Sequence, residues 1–145
     1  MSDHHPFLKA FLERGAPLPI PGPLAESLKG SILALDHEAG TALVAFEPDE
    51  RFLQGAGVIQ GGIVAAMLDF ACAVAAFGRL KAGKSFGTVS LQTSFLKPCL
   101  PGRHLASARL TRIGGRVIFA DAELRRDGAE DLIATASAVM AITSA

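Results

Sequence analysis

One stretch limits what this chain can fold into. Between positions 52 and 78 the only charged residue is Asp69, in a run dominated by Ala, Gly and large aliphatic residues. Such a run is long enough to span a bilayer. An Asp near its centre, however, costs about 2.5–3.5 kcal/mol on insertion scales. Gln54, Gln60 and several glycines dilute the run further, and strand-like sequence follows it. The expectation is therefore one long buried helix, over about 61–80, in a soluble cytoplasmic protein.

The sequence on either side reads as strands, after a short helix at the start. Positions 4–14 carry Phe7, Leu8, Phe11 and Leu12 at helical spacing, and Gly15 ends that helix. Pro17, Pro19, Pro21 and Pro23 make the next stretch an extended linker. Strands are expected at 31–37 and 41–47, around the turn Glu38-Ala39-Gly40. Four more follow the long helix, at 86–96, 104–113, 116–126 and 131–143, with turns at Lys97-Pro98, Gly114-Gly115 and Asp127-Gly128. Residues 1–30 thus form an N-terminal helix and Pro-rich linker. Residues 31–145 form an α+β domain, a curled antiparallel sheet of about six strands around one long helix.

Composition narrows the partners. Basic and acidic residues balance at 14 each, and there is no Trp or Tyr. Neither the charge for a nucleic acid or anionic membrane partner nor the exposed aromatics for base stacking are present. Cys72 and Cys99 are far apart and read as free thiols in a reducing compartment. No continuous apolar run marks the first fifteen residues as a signal peptide. His4, His5, His37 and His104 lack metal-ligand spacing, so no metal site is expected, and Ser90 and Ser94 lack a nucleophile elbow.

The long helix carries the most specific signal. On a helical wheel, Gly62, Ala65, Ala66, Cys72, Ala73 and Ala76 fall within about 60° of Asp69. Ile63, Val64, Met67, Leu68, Phe70, Val74 and Phe77 point elsewhere, towards a sheet. A small-residue face also suits close packing alone. Yet Asp is a mediocre helix former, and an unpaired buried carboxylate is costly, so its presence there invites a functional explanation. Gly61-Gly62 opens the helix, where unpaired N–H groups at the positive dipole end could bind a polarised carbonyl oxygen. Seven residues of helix separate Gly62 from Asp69 by about 10.5 Å, too far to serve one carbonyl. Two antiparallel copies would bring one chain's Gly62 near the other's Asp69, which implies a site shared across a two-fold homodimer.

The run Gly57-Val58-Ile59-Gln60-Gly61-Gly62, then an apolar turn and Asp69, resembles the signature of hotdog-fold thioesterases of the phenylacetate-degradation, PaaI-like type. The run from Thr88 to Pro98, with Phe95-Leu96-Lys97-Pro98 before Gly102, and the segments around Ile113-Gly114-Gly115-Arg116 and 134–142 are similar to that family's later strands. The resemblance covers roughly 31–142. It implies hydrolysis of an acyl-CoA or aryl-CoA thioester at dimer interfaces, often in a dimer of dimers, without metal or redox cofactor; coenzyme A is part of the substrate. By position, Asp69 matches the catalytic carboxylate, as general base or nucleophile, and Gly62 matches the backbone donor to the thioester carbonyl. Thr88 lies near a strand position where relatives carry Ser or Thr. Gln60 stands where the family usually has His, and Gln54 where it often has Asn. Gln donates hydrogen bonds but does not titrate, which leaves a non-catalytic acyl-CoA-binding protein as the alternative. Gly61, Ala66, Cys72 and Ala73 are expected to line the substrate site. Arg112 and Arg116, flanking a hairpin, are the candidates for the phosphates of CoA.

Overall fold

Small apolar and polar residues alternate along the C-terminal half of the chain, as strands with one dry face require. In the computed structural model, which describes residues 3–145, these segments are β4 (Lys84–Phe95), β5 (His104–Ile113), β6 (Val117–Arg126) and β7 (Leu132–Ser144). Before them come α1 (Pro6–Arg14), β1 (Leu18–Pro19), α2 (Pro23–Ser27), β2 (Ser31–Asp36), β3 (Thr41–Phe46), a single 3-10 turn at Glu50–Phe52, and the long helix α3 (Gly61–Phe77). All strands join one antiparallel sheet in the order β1-β2-β3-β5-β6-β7-β4, with α3 packed against β2 to β7.

The register explains how a sheet can hold a helix so closely. Ala42 pairs with Ala108, Ala108 with Ala122, and Ala122 with Ala136, so one row of alanines crosses β3, β5, β6 and β7. All four are buried, as are Ala106, Ala120, Ala134 and Ala138 in the neighbouring rows. On the helix, Ala71, Ala75 and Ala76 are buried as well. Larger side chains complete the core: Val64, Met67 and Leu68 from α3, and Val44, Ile118, Leu124 and Met140 from the strands.

The sheet has seven strands rather than about six, because the proline-rich segment is not a bare linker. Leu18 and Pro19 pair with Ile32 and Ser31, and α2 follows. Pro19 is tolerated because β1 is an edge strand. Leu18, Ile20 and Leu28 are buried in the common core. The first helix starts at Pro6, not at position 4, since proline suits the first helical turn and His5 caps it, its Nδ1 accepting from the Phe7 N–H at 3.1 Å. The long helix ends at Phe77, three residues before the expected end. Gly78 follows, packed so tightly that a Cβ there would lie 3.1 Å from the Leu35 side chain. No helix among the described residues is long and apolar enough to cross a membrane.

Among the described residues His104 is the buried polar exception. Its Nδ1–H donates to the Gly102 carbonyl at 2.8 Å, which leaves Nε2 bare to accept from the Cys99 thiol at 3.5 Å. Burial pushes the Cys99 thiol up to about 11, so it remains a protonated donor. Burial likewise holds His104 below the ordinary histidine value of 6.5, against a smaller opposing effect of the Gly102 carbonyl.

Two outcomes follow. Ala122→Leu should destabilise the protein by about 1–3 kcal/mol through overpacking, whereas Glu123→Ala, which removes only an exposed ion pair with Arg125 on the outer face, should cost no more than about 1 kcal/mol; urea denaturation measures both. The contribution of His104 should be fully present above pH 6.5, where both states are neutral, and should be lost as pH falls through its depressed folded value, because the unfolded chain takes up the proton first. Urea midpoints should therefore fall between pH 7.5 and pH 5.5, with a smaller fall in His104→Gln.

Candidate active site

Asp69 lies half-buried on the side of α3 that the sheet leaves open. Its carboxylate Oδ1 accepts a hydrogen bond from the Thr88 hydroxyl at 2.8 Å. The local fold aims that hydroxyl. Thr88 pairs with Met140 and Ser90 with Val139, so Val89 is an extra residue, a β-bulge in the edge strand β4. Val89 is pushed outward, 69% exposed, while Thr88 keeps the inner face of the sheet and meets the helix.

A cavity of about 420 Å³ opens beside this pair. Among the described residues Asp69 is its one charged lining residue. Ala73, Val74 and Phe77 continue the wall along α3, and Phe86 continues it along β4. The remaining wall comes from Phe7, Ile20 and Pro21 of the N-terminal segment. The sequence reading named none of these three for the site. The helical spacing of Phe7 places it on a helix but carries no signal that this helix folds back over α3.

The structure gathers only part of the expected residue set. Asp69, Thr88 and Ala73 share the cavity. Gly62 is exposed at the first turn of α3, on the same open side as Ala65, Ala66 and Asp69. The Gln60 carbonyl accepts from the Ile63 and Val64 N–H groups at 2.9 and 3.2 Å, and no protein acceptor is found for the Gly62 N–H among the described residues. The Gln60 side chain is exposed and does not cap the helix. Gln54 and Gly61 line a second cavity, of about 350 Å³, with Phe95 and Lys97. There the Gln54 side chain accepts from the Ala56 N–H and braces its own loop. Gly61 admits the Phe95 ring, which would sit 3.3 Å from an added Cβ.

Cys72 and Ala76 are turned into the core and fully buried, although the wheel set them on the Asp69 side. Burial, then the charges of Asp69 and Asp121, push the Cys72 thiol up to about 12, so it is no nucleophile. Arg112 and Arg116 are exposed at the β5–β6 hairpin and form no ion pair among the described residues. At the far end of the same two strands the basic residues are paired, Arg103 with Asp127 at 2.9 Å and Arg125 with Glu123 at 2.7 Å. No cluster of metal-ligating side chains occurs among the described residues.

A family model described as the thioesterase superfamily matches residues 56–133, the stretch that holds Gly62, Asp69 and Thr88. The chain belongs to this thioesterase superfamily. A phenylacetic acid degradation-related protein from Ralstonia eutropha is 37% identical, over 93% of this chain and 98% of that one, with a TM-score of 0.82. A thioesterase family protein from Silicibacter pomeroyi is 26% identical over 96% and 97%, with a TM-score of 0.79. The phenylacetic acid degradation protein PaaI from Thermus thermophilus, solved as a point mutant, is 26% identical over 83% and 98%, with a TM-score of 0.72. A search of curated proteins finds no match. The architecture is the hotdog fold, of PaaI-like type, and the family activity is thioester hydrolysis.

For a thioesterase built this way, Thr88→Val keeps the side-chain shape but removes the donor to Asp69. A reacting group that loses its orientation can lose about 10²-fold in rate, so turnover should fall roughly 10- to 100-fold. Thiol release should show this mainly in kcat, with the melting temperature little changed because Thr88 is exposed.

Proposed function

We propose that this thioesterase hydrolyses an acyl-CoA or aryl-CoA thioester to the free acid and CoA, at sites shared between the two protomers of a homodimer. The observation that carries this reading is the Asp69–Thr88 pair, held at 2.8 Å beside an apolar cavity. Asp69 is the base that takes a proton from water, or else the nucleophile itself. In the first route, water oxygen bonds to the thioester carbon and its proton passes to Asp69. The carbonyl oxygen becomes an oxyanion, the C–S bond then breaks, and CoA leaves as a thiol after taking up a proton. The oxyanion is met by the Gly62 N–H, at the positive end of α3. Gln60 beside it can donate to the carbonyl or the leaving sulfur. Water supplies the oxygen, so the reaction as proposed uses no cofactor.

Two features favour a shared site. Gly62 and Asp69 of one chain are separated by about 10.5 Å of helix, beyond the reach of one carbonyl. The twelve-residue strand β4 is also an uncovered edge, with Val89, Phe95 and Leu96 exposed along or just beyond it. Edge strands of that length and character are normally paired or covered. A second copy, pairing β4 to β4 antiparallel about a two-fold axis, would cover it and lay the open sides of the two α3 helices together. Phe119 and Ile113 remain exposed away from that edge, available for a dimer of dimers. Arg112 and Arg116, without carboxylate partners among the described residues, are the proposed contacts for CoA phosphates. A cytoplasmic location belongs to the same proposal, in keeping with two free thiols.

Asp69→Asn preserves size and hydrogen bonding but removes the base. With acyl-CoA and phenylacyl-CoA esters, thiol release should drop roughly 10²- to 10⁴-fold while the dimer stays folded. Undiminished release would overturn the assignment. CoA-ester binding by the wild type without any thiol release would favour the non-catalytic reading that Gln60 suggests.

A further inference from the structure

We infer that the N-terminal segment is the end wall of the acyl pocket, and that Phe7 sets the length of acyl group the pocket takes. This rests on the reading of the Asp69 cavity as the acyl site.

The direction of the cavity comes first. On α3, Phe77 lies eight residues beyond Asp69, about 12 Å along the axis. On β4, Phe86 lies two residues before Thr88, about 7 Å along the strand and on the same face. Helix and strand therefore lead away from the acid in the same sense, and their rings close on each other there, Phe77 and Phe86 at 4.8 Å between centroids. Phe7 also stacks on Phe77, again at 4.8 Å with 29° between planes. An acyl group that starts at the Asp69–Thr88 pair and follows the apolar lining runs towards this cluster. Phe7, Ile20 and Pro21 supply the side of the cavity that neither α3 nor β4 forms.

That side is bolted down. Leu8, next to Phe7, is fully buried. The His5 N–H donates to the Leu80 carbonyl at 3.2 Å, and the Ala82 N–H donates to the Asp3 carbonyl at 2.8 Å, so α1 is tied to the chain just after α3. The His5 ring also lies on Phe77, at 4.8 Å. Further on, the Ile20 N–H donates to the Gly30 carbonyl at 2.9 Å. A wall fixed at both ends limits length instead of yielding to a longer ligand. Phe7 is half-buried and belongs to neither of the elements that hold Asp69 and Thr88, so its size can change while the acid and its donor stay in place.

The test uses the full-length chain with Phe7→Ala, Phe7→Leu and Phe7→Trp, and Leu12→Ala as control, since Leu12 is 41% exposed on the same helix. Each is given straight-chain acyl-CoA esters of increasing length and phenylacyl-CoA for thiol release. The corresponding thioether analogues of CoA are given for binding by calorimetry. Phe7→Ala and Phe7→Leu should raise the ratio of long-chain to short-chain kcat/KM, by about tenfold for Ala. Phe7→Trp should lower that ratio, Leu12→Ala should leave it unchanged, and the thioether affinities should shift in the same order. A wild-type length profile in all three Phe7 variants, by both readouts, would overturn the end wall. Turnover insensitive to Asp69→Asn would instead remove the catalytic reading, while the thioether profile still judges the wall.

Discussion

How near α3 can come to the sheet decides everything else in this fold. A seventeen-residue helix can sit inside a curled sheet only if the facing rows are short, and here they are mostly alanine. The Ala42–Ala108–Ala122–Ala136 row lies where large residues would hold the helix off. The larger core residues, such as Leu124, Ile118 and Met140, alternate with it and fill the space around it. Close packing of this kind leaves little slack, since interiors are as dense as organic crystals and an extra methylene displaces its neighbours. The position of Asp69 is thus set by side chains on the opposite side of its own helix.

Because the sheet wraps only one side of α3, the other is left with Gly62, Ala65, Ala66, Asp69 and Ala73, none of them bulky. The strand beside it, β4, is the sheet's open edge. The bulge at Val89 does two things at that edge. It lifts an apolar side chain outward, and it holds Thr88 on the inner face against the carboxylate. An edge that has lost one ladder position but gained a fixed hydroxyl is a reasonable exchange where a site is needed, and bulges gather at such places. The proposed dimer would use the same two features, the small side of the helix and the bare strand.

Much of this was legible in the residues. The long helix, the four strands after it and the opposition of Asp69 to a small-residue side all follow from periodicity. The resemblance to PaaI-like thioesterases added Thr88. What could not be read has particular causes. A two-residue strand such as β1 has no period to detect, and four prolines pointed to a linker. The wheel treats a helix as if one flat surface met it, but the last turns of α3 are covered by the N-terminal segment as well as the sheet, and Ala76 is enclosed there. Cys72 stood at the margin of the small side and fell inward. Phe7 joined the cavity only through a tertiary contact, with α1 tied by backbone hydrogen bonds to residues some seventy-five positions away.

The substitution of Gln for the expected His at position 60 matters less to the proposed oxyanion site than it first suggests. What aligns the start of α3 is the main chain of Gln60: its carbonyl takes the Ile63 and Val64 N–H groups, and its own N–H is fixed on the Phe52 carbonyl at 2.8 Å. Any residue with an ordinary backbone could do that. The Gly62 N–H is then left without a protein acceptor among the described residues whatever the side chain at 60, and the dipole of α3 acts on it regardless. A titrating group at this position would have to move protons, and in the proposed reaction that work falls to Asp69. The exposed Gln60 amide is left with donation alone, a role that changes little between acid and neutral pH.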